Sequence, residues 1–343
     1  MHTDKNRRIT GVLVCLGLLF LSLGMSGVEA TSSSETVVIE DYTGQFVEVP
    51  CPVEKVICLS SYASWVLCAL GGGDKIIGRD SNSDFPPCLE DIPVVGQSSY
   101  NPSVELILEY NPELVIADTM LSDDLRYQIE SGGVPVIVTR SGDPDRTITN
   151  VKNFGLILDE NERAKEIITF IEHYHSITEE RTASLEQEDM PIVLGERANP
   201  WNVASPGTGF GDKIEAVGGI NIAAGETSGK YIVVSSEWVA EKDPDIIVFQ
   251  VSGMSSPTEE ELEEVRNEIL SRPGLGDVNA VKDDQVYIVT PEIMGGAPSL
   301  IGSLYFAKWF HPDLFEDIDP EAVHRELFQK FLDLELDGVY VYP

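Results

Sequence analysis

One stretch of the chain occurs twice, and this repeat restricts the folds that the sequence can adopt. Residues 103–116 are SVELILEYNPELVI and residues 235–248 are SSEWVAEKDPDIIV, an offset of 132 residues at every matched position. Each copy has a polar start, a glutamate at its third position, spaced apolar residues, an Asn-Pro or Asp-Pro pair and an apolar run. This pattern indicates a helix followed by a strand. The repeat therefore predicts two similar halves built from helix–strand units.

The length and the chain pattern agree with two α/β lobes. A chain of 343 residues corresponds to about two domains at roughly 150 residues each. Short apolar segments alternate with helical ones in both halves, which is typical of parallel sheets flanked by helices. We predict a signal peptide at 1–30, an N-terminal α/β lobe at 31–143, linking helices at 144–188 and a C-terminal α/β lobe at 189–343.

The linking region has no strand pattern and contains one long helical segment. Residues 160–187, ENERAKEIITFIEHYHSITEERTASLEQ, place apolar side chains on one face. Twenty-eight helical residues would span about 42 Å at ~1.5 Å per residue. Such a rigid helix would join the lobes and hold their separation nearly constant.

The N-terminus has the layout of a secretory signal. Lys5, Arg7 and Arg8 precede an apolar run that ends near a small-residue cleavage site, with Ala30 as the last residue removed. The alternative is an uncleaved membrane anchor, although the run is shorter than the ~20 residues of a spanning helix. Cys15 lacks the small-residue context of a lipoprotein cysteine. The protein is therefore predicted to be secreted, in the periplasm or at the outer cell surface, without lipidation.

The charge excludes one class of partner. Without residues 1–30, 20 basic residues face 56 acidic ones, a formal charge near −36. Nucleic-acid binding needs a basic face, so nucleic acid is not expected as a partner. The acidic surface favours solubility and would suit a salty habitat.

Four cysteines remain after removal of the leader: Cys51, Cys58, Cys68 and Cys88. No pair has the spacing of a zinc knuckle. Outside the cell a disulfide can form, and the sequence leaves three pairings open. The alternative is that Cys58, in a strand, and Cys68, in a helix, are buried free thiols.

Five segments follow one another in a fixed order and spacing along the chain. They are DYTGQFVEVP leading into KVICLS, ALGGGDKIIG, GQSSYNPSVELILEYNPELVI, SPGTGFGDKIEAVGGINIA and SSEWVAEKDPDIIV. Together they resemble one protein family, the class III substrate-binding proteins of ABC importers for iron-siderophore, haem and corrinoid chelates. The resemblance covers residues 37–336, nearly the whole chain without its leader.

The resemblance implies a fold and a function. The fold is α/β: two lobes with mainly parallel sheets flanked by helices, joined by one long rigid helix, with the ligand cleft between the lobes. The function is reversible capture of an iron(III) chelate and delivery to an ABC permease and its ATPase. The protein would be a monomer without an intrinsic cofactor, and its bound ligand would be the iron chelate. A corrinoid ligand is the alternative within the family.

The repeated glutamate gains a role from the resemblance. In the family, one glutamate on top of each lobe docks on arginines of the permease, and the matching positions are Glu105 and Glu237. The alternative is that both are first-turn acids that the helix dipole favours.

Ligand contacts are expected at the carboxyl ends of the strands, where open α/β sheets bind their ligands. Three arginines occur there and could hold an anionic chelate, or could pair locally with Asp80, Asp143 and Glu196. Aromatic side chains would supply flat apolar walls. Tyr62 is also the one first-lobe residue proposed as a direct iron ligand. The predicted ligand-binding residues are Tyr62, Arg79, Tyr100, Arg140, Arg197, Trp201 and Glu292, with Phe210 as a further wall.

Two other classes are disfavoured. A bare-metal carrier needs several histidines and carboxylates converging from both lobes, and no histidine follows a predicted strand of the first lobe. For an enzyme, we find no nucleophile elbow, zinc helix motif or dinucleotide glycine fingerprint. The prediction is therefore no catalytic residue and no site for a bare metal ion, with a two-lobed α/β enzyme as the least favoured alternative.

Overall fold

The computed structural model describes residues 35–140, 144–226, 229–252, 254, 257–296 and 298–343, without the side chains of residues 144 and 145. The predicted signal peptide at 1–30 and the proposed Arg140 partner Asp143 lie outside these residues. Among the described helices, none is long and apolar enough to cross a membrane.

The first lobe begins with an antiparallel hairpin and continues as a parallel sheet. The hairpin is β1 (Glu35–Glu40) and β2 (Phe46–Cys51). The sheet strands are β3 (Val56–Leu59), β4 (Ile76–Asp80), β5 (Val94–Gly96), β6 (Leu114–Asp118) and β7 (Val136–Thr139), in the spatial order β5-β4-β3-β6-β7. All of their pairings are parallel. The flanking helices are α1 (Ser61–Ala69), α2 (Val104–Glu109) and α3 (Asp123–Ser131).

Two helices follow the first sheet, α4 (Pro144–Leu158) and α5 (Asn161–Thr182). The expected length of the linking helix was wrong: α5 has 22 residues, about 33 Å at ~1.5 Å per residue. The Thr182 carbonyl accepts the N–H of Leu185 in a turn, so the segment after Thr182 leaves the helix. The two helices approach closely at Gly155, where a Cβ would lie 2.4 Å from that of Ala164.

The second lobe contains a mixed sheet. Its strands are β8 (Ile192–Arg197), β9 (Asn202–Ala204), β10 (Ile220–Asn221), β11 (Tyr231–Val233), β12 (Ile246–Gln250), β13 (Val286–Val289) and β14 (Val341–Tyr342). The order is β11-β9-β8-β12-β13-β14, with β10 beside β8. The inner strands β8, β12 and β13 are parallel, and antiparallel strands complete the edges. The helices are α6 (Gly209–Ala216), α7 (Ser236–Lys242), α8 (Glu259–Leu270), α9 (Asn279–Lys282), α10 (Ser299–Phe310) and α11 (Pro320–Leu332).

The sequence repeat is also a structural repeat. Ser103 caps α2 and Ser235 caps α7, each by accepting a backbone N–H three residues later. After each helix the chain passes through a residue in the left-handed region that Asn and Asp tolerate, Asn111 (φ 49°) after α2 and Asp243 (φ 46°) after α7. The strands that follow, β6 and β12, are inner strands of their sheets. The predicted two-lobed α/β fold with parallel sheets and flanking helices is confirmed.

The two lobes share one hydrophobic core around α5. The same buried cluster contains Leu67 of α1, Ile167 of α5 and Leu304 of α10. Arg163 of α5 donates to the carbonyl of Ala69 at 3.1 Å and to that of Lys330 at 2.7 Å, so it links α1 with α11. Because hydrophobic cores are close-packed, this shared core restricts how far the two lobes can move relative to each other.

Candidate functional site

The carboxyl end of the first sheet carries two partly or fully buried aspartates. Asp80, at the end of β4, is 3% exposed and accepts a hydrogen bond from the Ser83 hydroxyl at 3.0 Å. Asp118 ends β6 and accepts the N–H of Met120 at 2.8 Å. Burial raises the pKa of both carboxyls because it disfavours the charged form. This part of the sheet edge therefore offers hydrogen-bond acceptors rather than positively charged groups.

Tyr62 lies where the two lobes meet. Ser60 caps α1 and so fixes Tyr62 in the first turn. The Tyr62 hydroxyl accepts a hydrogen bond from Asn150 Nδ2 at 3.1 Å, and the same amide donates to the Arg140 carbonyl at 3.2 Å. From the second lobe, Gly296 (φ +70°) approaches the ring so closely that a Cβ there would lie 2.6 Å from Tyr62 Cδ2. The structure thus brings Tyr62 and Arg140 together through Asn150.

Arg140, exposed directly after β7, pairs with the half-buried Tyr42 of the turn after β1. Arg140 Nη1 donates to the Tyr42 hydroxyl at 2.7 Å, and its guanidinium lies 5.5 Å from the ring centroid. The Arg146 guanidinium lies 4.7 Å from the same ring. Two guanidinium groups therefore share one tyrosine, beside a groove between the hairpin, β7 and α4.

Arg79 has a different environment from the other two predicted arginines. It is 7% exposed. Its guanidinium donates to the backbone carbonyls of Leu89 (2.8 Å), Asp80 (3.1 Å) and Glu90 (3.0 Å). These bonds hold the loop before β5 against the end of β4. Because its Nε, Nη1 and Nη2 atoms donate to backbone carbonyls, Arg79 is a less suitable ligand contact than the two exposed arginines.

A buried ion pair supports Trp201 in the second lobe. Glu196 is fully buried, and its Oε2 lies 2.5 Å from Arg272 Nη1. Its Oε1 accepts the backbone N–H of Trp201 at 2.8 Å. Trp201 has a left-handed φ of 66°, and the Arg272 guanidinium stacks over its ring at 5.3 Å. A charge-assisted hydrogen bond to Glu196 and a cation–π contact with Arg272 thus hold a strained tryptophan in place.

Arg197, at the end of β8, is exposed and does not pair with Glu196, because Arg272 occupies that carboxylate. The Arg197 guanidinium lies 5.7 Å from the Tyr231 ring centroid. Burial raises the pKa of Tyr231, and Arg197 acts in the opposite direction. Arg197 with Tyr231 therefore resembles the pair of Arg140 with Tyr42 in the first lobe.

The remaining predicted ligand residues are dispersed along the sheet edges. Tyr100 is 73% exposed in the loop after β5. Glu292 is exposed in the short turn Pro291–Ile293 after β13. Phe210 is 3% exposed with its ring centroid 5.6 Å from that of Phe306, so it is a core residue.

The two repeated glutamates are both exposed in the first turns of equivalent helices, Glu105 in α2 and Glu237 in α7. The pKa of Glu237 is lowered, chiefly by hydrogen bonds to backbone N–H and Ser235. In βαβ units a helix runs back against the strands, so its N-terminus lies at their carboxyl end. Both glutamates therefore stand on the ligand side of their sheets.

Sequence reasoning missed four supporting residues of these sites: Tyr42, Asn150, Tyr231 and Arg272. Each is far along the chain from the residue that it supports; Glu196 and Arg272, for example, are 76 residues apart. No local pattern indicates such a contact. In the described part of the chain, no group of three or more His, Cys, Asp or Glu side chains could hold a metal ion.

Comparison with known proteins agrees with this architecture. Residues 56–293 match the family model described as periplasmic binding protein. Among curated relatives, an uncharacterized ABC transporter substrate-binding lipoprotein, YvrC of Bacillus subtilis, is 23% identical over 82% of this chain and 87% of its own. A cobalamin-binding protein of Halobacterium salinarum is 26% identical over 58% of this chain and 54% of its own.

Solved structures share the fold. The TroA-like periplasmic binding protein FepB of Veillonella parvula aligns with a TM-score of 0.74 and 25% identity, over 89% of this chain and 99% of that one. The molybdate-bound protein MolA of Haemophilus influenzae aligns with a TM-score of 0.72 and 19% identity, over 88% of this chain and 100% of that one.

Proposed function

The chain belongs to the periplasmic binding protein family, and on that premise we propose that it captures an anionic iron(III) chelate of the siderophore or haem type. Family membership makes it an extracytoplasmic substrate-binding protein of an ABC importer. The prediction of a binding protein rather than an enzyme is thereby confirmed, as is the absence of an intrinsic cofactor: what such a protein binds is transported cargo.

The observation that carries the chelate proposal is a pair of arginine–tyrosine contacts in which the guanidinium group is exposed. Arg140 with Tyr42 and Arg197 with Tyr231 occur at strand ends of the two different lobes. Exposed guanidinium groups there are notable in a chain with 58 acidic and 23 basic residues. A guanidinium can fork onto a carboxylate or catecholate, and the stacked ring reduces the freedom lost on binding. This arrangement suits an oxygen-rich anionic ligand.

Aromatic surfaces would contact the body of the chelate. Tyr100 is exposed, and Trp201 is held in a fixed orientation by Glu196 and Arg272. Rigid aromatic groups supply contact area at low entropic cost. Glu292, exposed on the turn that follows β13, completes the proposed contacts together with Tyr62. Because Tyr62 is only 9% exposed beside Asn150, its contact with the chelate would be small.

Delivery would use the two exposed glutamates. Glu105 and Glu237 occupy equivalent first turns in the two lobes, so a permease with two similar subunits could receive one on each. Rim charges of this kind chiefly set orientation and encounter rate. We propose the permease together with its ATPase as the partners and a monomer as the capturing form.

A corrinoid is the second candidate, because one relative is named a cobalamin-binding protein. A small oxyanion is a further outcome to test, since MolA binds molybdate and shares the fold. A corrinoid is bulky and carries mainly neutral amides, whereas a catecholate siderophore or haem presents anionic oxygens. The two arginines should therefore matter much more for an iron chelate than for a corrinoid.

The test is a fluorescence titration of the full chain with a ferric tricatecholate, haemin, cyanocobalamin and molybdate. We expect saturable quenching by one of the two iron chelates. The Arg140→Gln, Arg197→Gln double variant should bind it at least tenfold more weakly, roughly 1.4 kcal/mol. Arg325→Gln, an exposed arginine of α11, is the matched control. Binding of cobalamin or molybdate alone, or equal affinity in the double variant, would overturn the proposal.

A further inference from the structure

Two cysteines of the first lobe face each other across a short gap. Cys68 is near the end of α1, and Cys88 is in the exposed turn Pro87–Leu89; their Sγ atoms are 3.5 Å apart. The other described cysteines have different surroundings. Cys51 Sγ donates to the Leu156 carbonyl at 3.2 Å, and Cys58 is fully buried in β3.

A glycine makes room for both sulfur atoms. A Cβ at Gly73 would lie 3.2 Å from Cys68 Sγ and 3.4 Å from Cys88 Sγ. The first of these contacts is tighter than an ordinary van der Waals contact, and the second is at its lower limit. A side chain at position 73 would therefore crowd the two sulfur atoms.

We propose that Cys68 and Cys88 form a disulfide once the chain is exported. An extracytoplasmic location supplies the oxidising surroundings in which disulfides persist. Sulfur atoms already in contact need only a small rotation to reach bonding distance. Cys51 and Cys58 remain reduced.

The oxidant is a disulfide compound, such as oxidised glutathione or a thiol–disulfide oxidoreductase. The exposed Cys88 loses its proton and attacks one oxidant sulfur, which releases the first thiol and leaves a mixed disulfide. Cys68 then loses its proton and attacks Cys88 Sγ, which releases the second thiol. The protein loses two electrons and two protons, and the oxidant gains both.

The bridge would stabilise the ligand edge of the first lobe. It joins α1, which carries Tyr62, to the segment around Pro87–Leu89. The Leu89 and Glu90 carbonyls of this segment accept hydrogen bonds from the Arg79 guanidinium. The closed loop spans 20 residues and includes β4. Closing a loop of this length restricts the unfolded chain and so favours the folded state.

The experiment maps disulfides in the full chain recovered after export into an oxidising compartment, without reductant. Non-reducing peptide mass spectrometry should find the Cys68 and Cys88 peptides joined, 2 Da lighter than the sum of the separate thiol peptides. Addition of a phosphine reductant should lower the melting temperature by several degrees. Because this comparison uses the wild-type chain, it does not depend on a variant that folds poorly.

Two variants separate this pair from the other cysteines. Cys51→Ser should keep both the linked peptides and the effect of reductant on the melting temperature. Cys88→Ser should lose both. Separate thiol peptides in the exported chain, or a bond that includes Cys51 or Cys58, would overturn the proposal.

Discussion

The buried pair of Glu196 and Arg272 gives the sharpest prediction for stability. The perturbation is Arg272→Met, which keeps much of the apolar volume but removes the charge. It leaves the Glu196 carboxylate with 0% of its side chain exposed and no cation. Loss of one partner of a buried ion pair costs about 3 to 5 kcal/mol. Two stacking contacts, with Trp201 at 5.3 Å and Phe249 at 5.6 Å, are lost with it.

The chain offers a matched control for this change. Arg325 pairs with Glu321 at 2.7 Å on the surface of α11, with side chains 54% and 61% exposed. An exposed pair contributes at most about 1 kcal/mol. Arg325→Met should therefore lower the free energy of unfolding much less than Arg272→Met.

The assay is urea denaturation monitored by tryptophan fluorescence. The slope of the unfolding free energy against urea concentration is compared between variants. A third protein, Glu196→Gln with Arg272→Met, removes both charges and should recover much of the loss, because no unpaired ion remains buried. The reasoning would be refuted if Arg272→Met cost no more than Arg325→Met, or if the double variant were less stable than Arg272→Met alone.

Two further predictions concern a buried lysine and a conformationally special glycine. Burial lowers the pKa of Lys213 to about 7, so the unfolded chain binds the extra proton between pH 7 and about 10.4. The free energy of unfolding of the wild type should rise with pH across that window, by up to about 1.4 kcal/mol per pH unit relative to Lys213→Met. Parallel curves of this free energy against pH, measured with urea, would contradict the prediction. Gly296→Ala would push on Tyr62 and should cost about 1 to 3 kcal/mol by thermal unfolding. Gly44→Ala should cost less, because its Cβ meets no atom within 4 Å; equal losses would exclude the Tyr62 contact as the cause.

The two-lobed fold could be predicted because its signals are local. Helix caps, apolar strands and turn residues act within a few positions, so the repeat at offset 132 indicated α2–β6 and α7–β12. Even a detail of the repeat is preserved. Glu113 accepts the backbone N–H of Lys55 beside β3, and Asp245 accepts that of Ile192 in β8. The end of α5 was mispredicted. Residues 183–187 have a composition that could continue the helix, and only the turn after Thr182 ends it.

The sequence by itself determined which residue types lie at the carboxyl end of each strand, because these residues are adjacent to the strand in the chain. Only the tertiary structure decided what those residues do. Arg79 and Arg197 are equivalent by sequence pattern. Yet Arg79 is buried and faces backbone carbonyls, whereas Arg197 is exposed and contacts the half-buried ring of Tyr231. Likewise, Cys68 meets Cys88 rather than Cys58 because α1 and a distant turn converge. Such choices depend on contacts between segments far apart in the chain, and no local propensity encodes them.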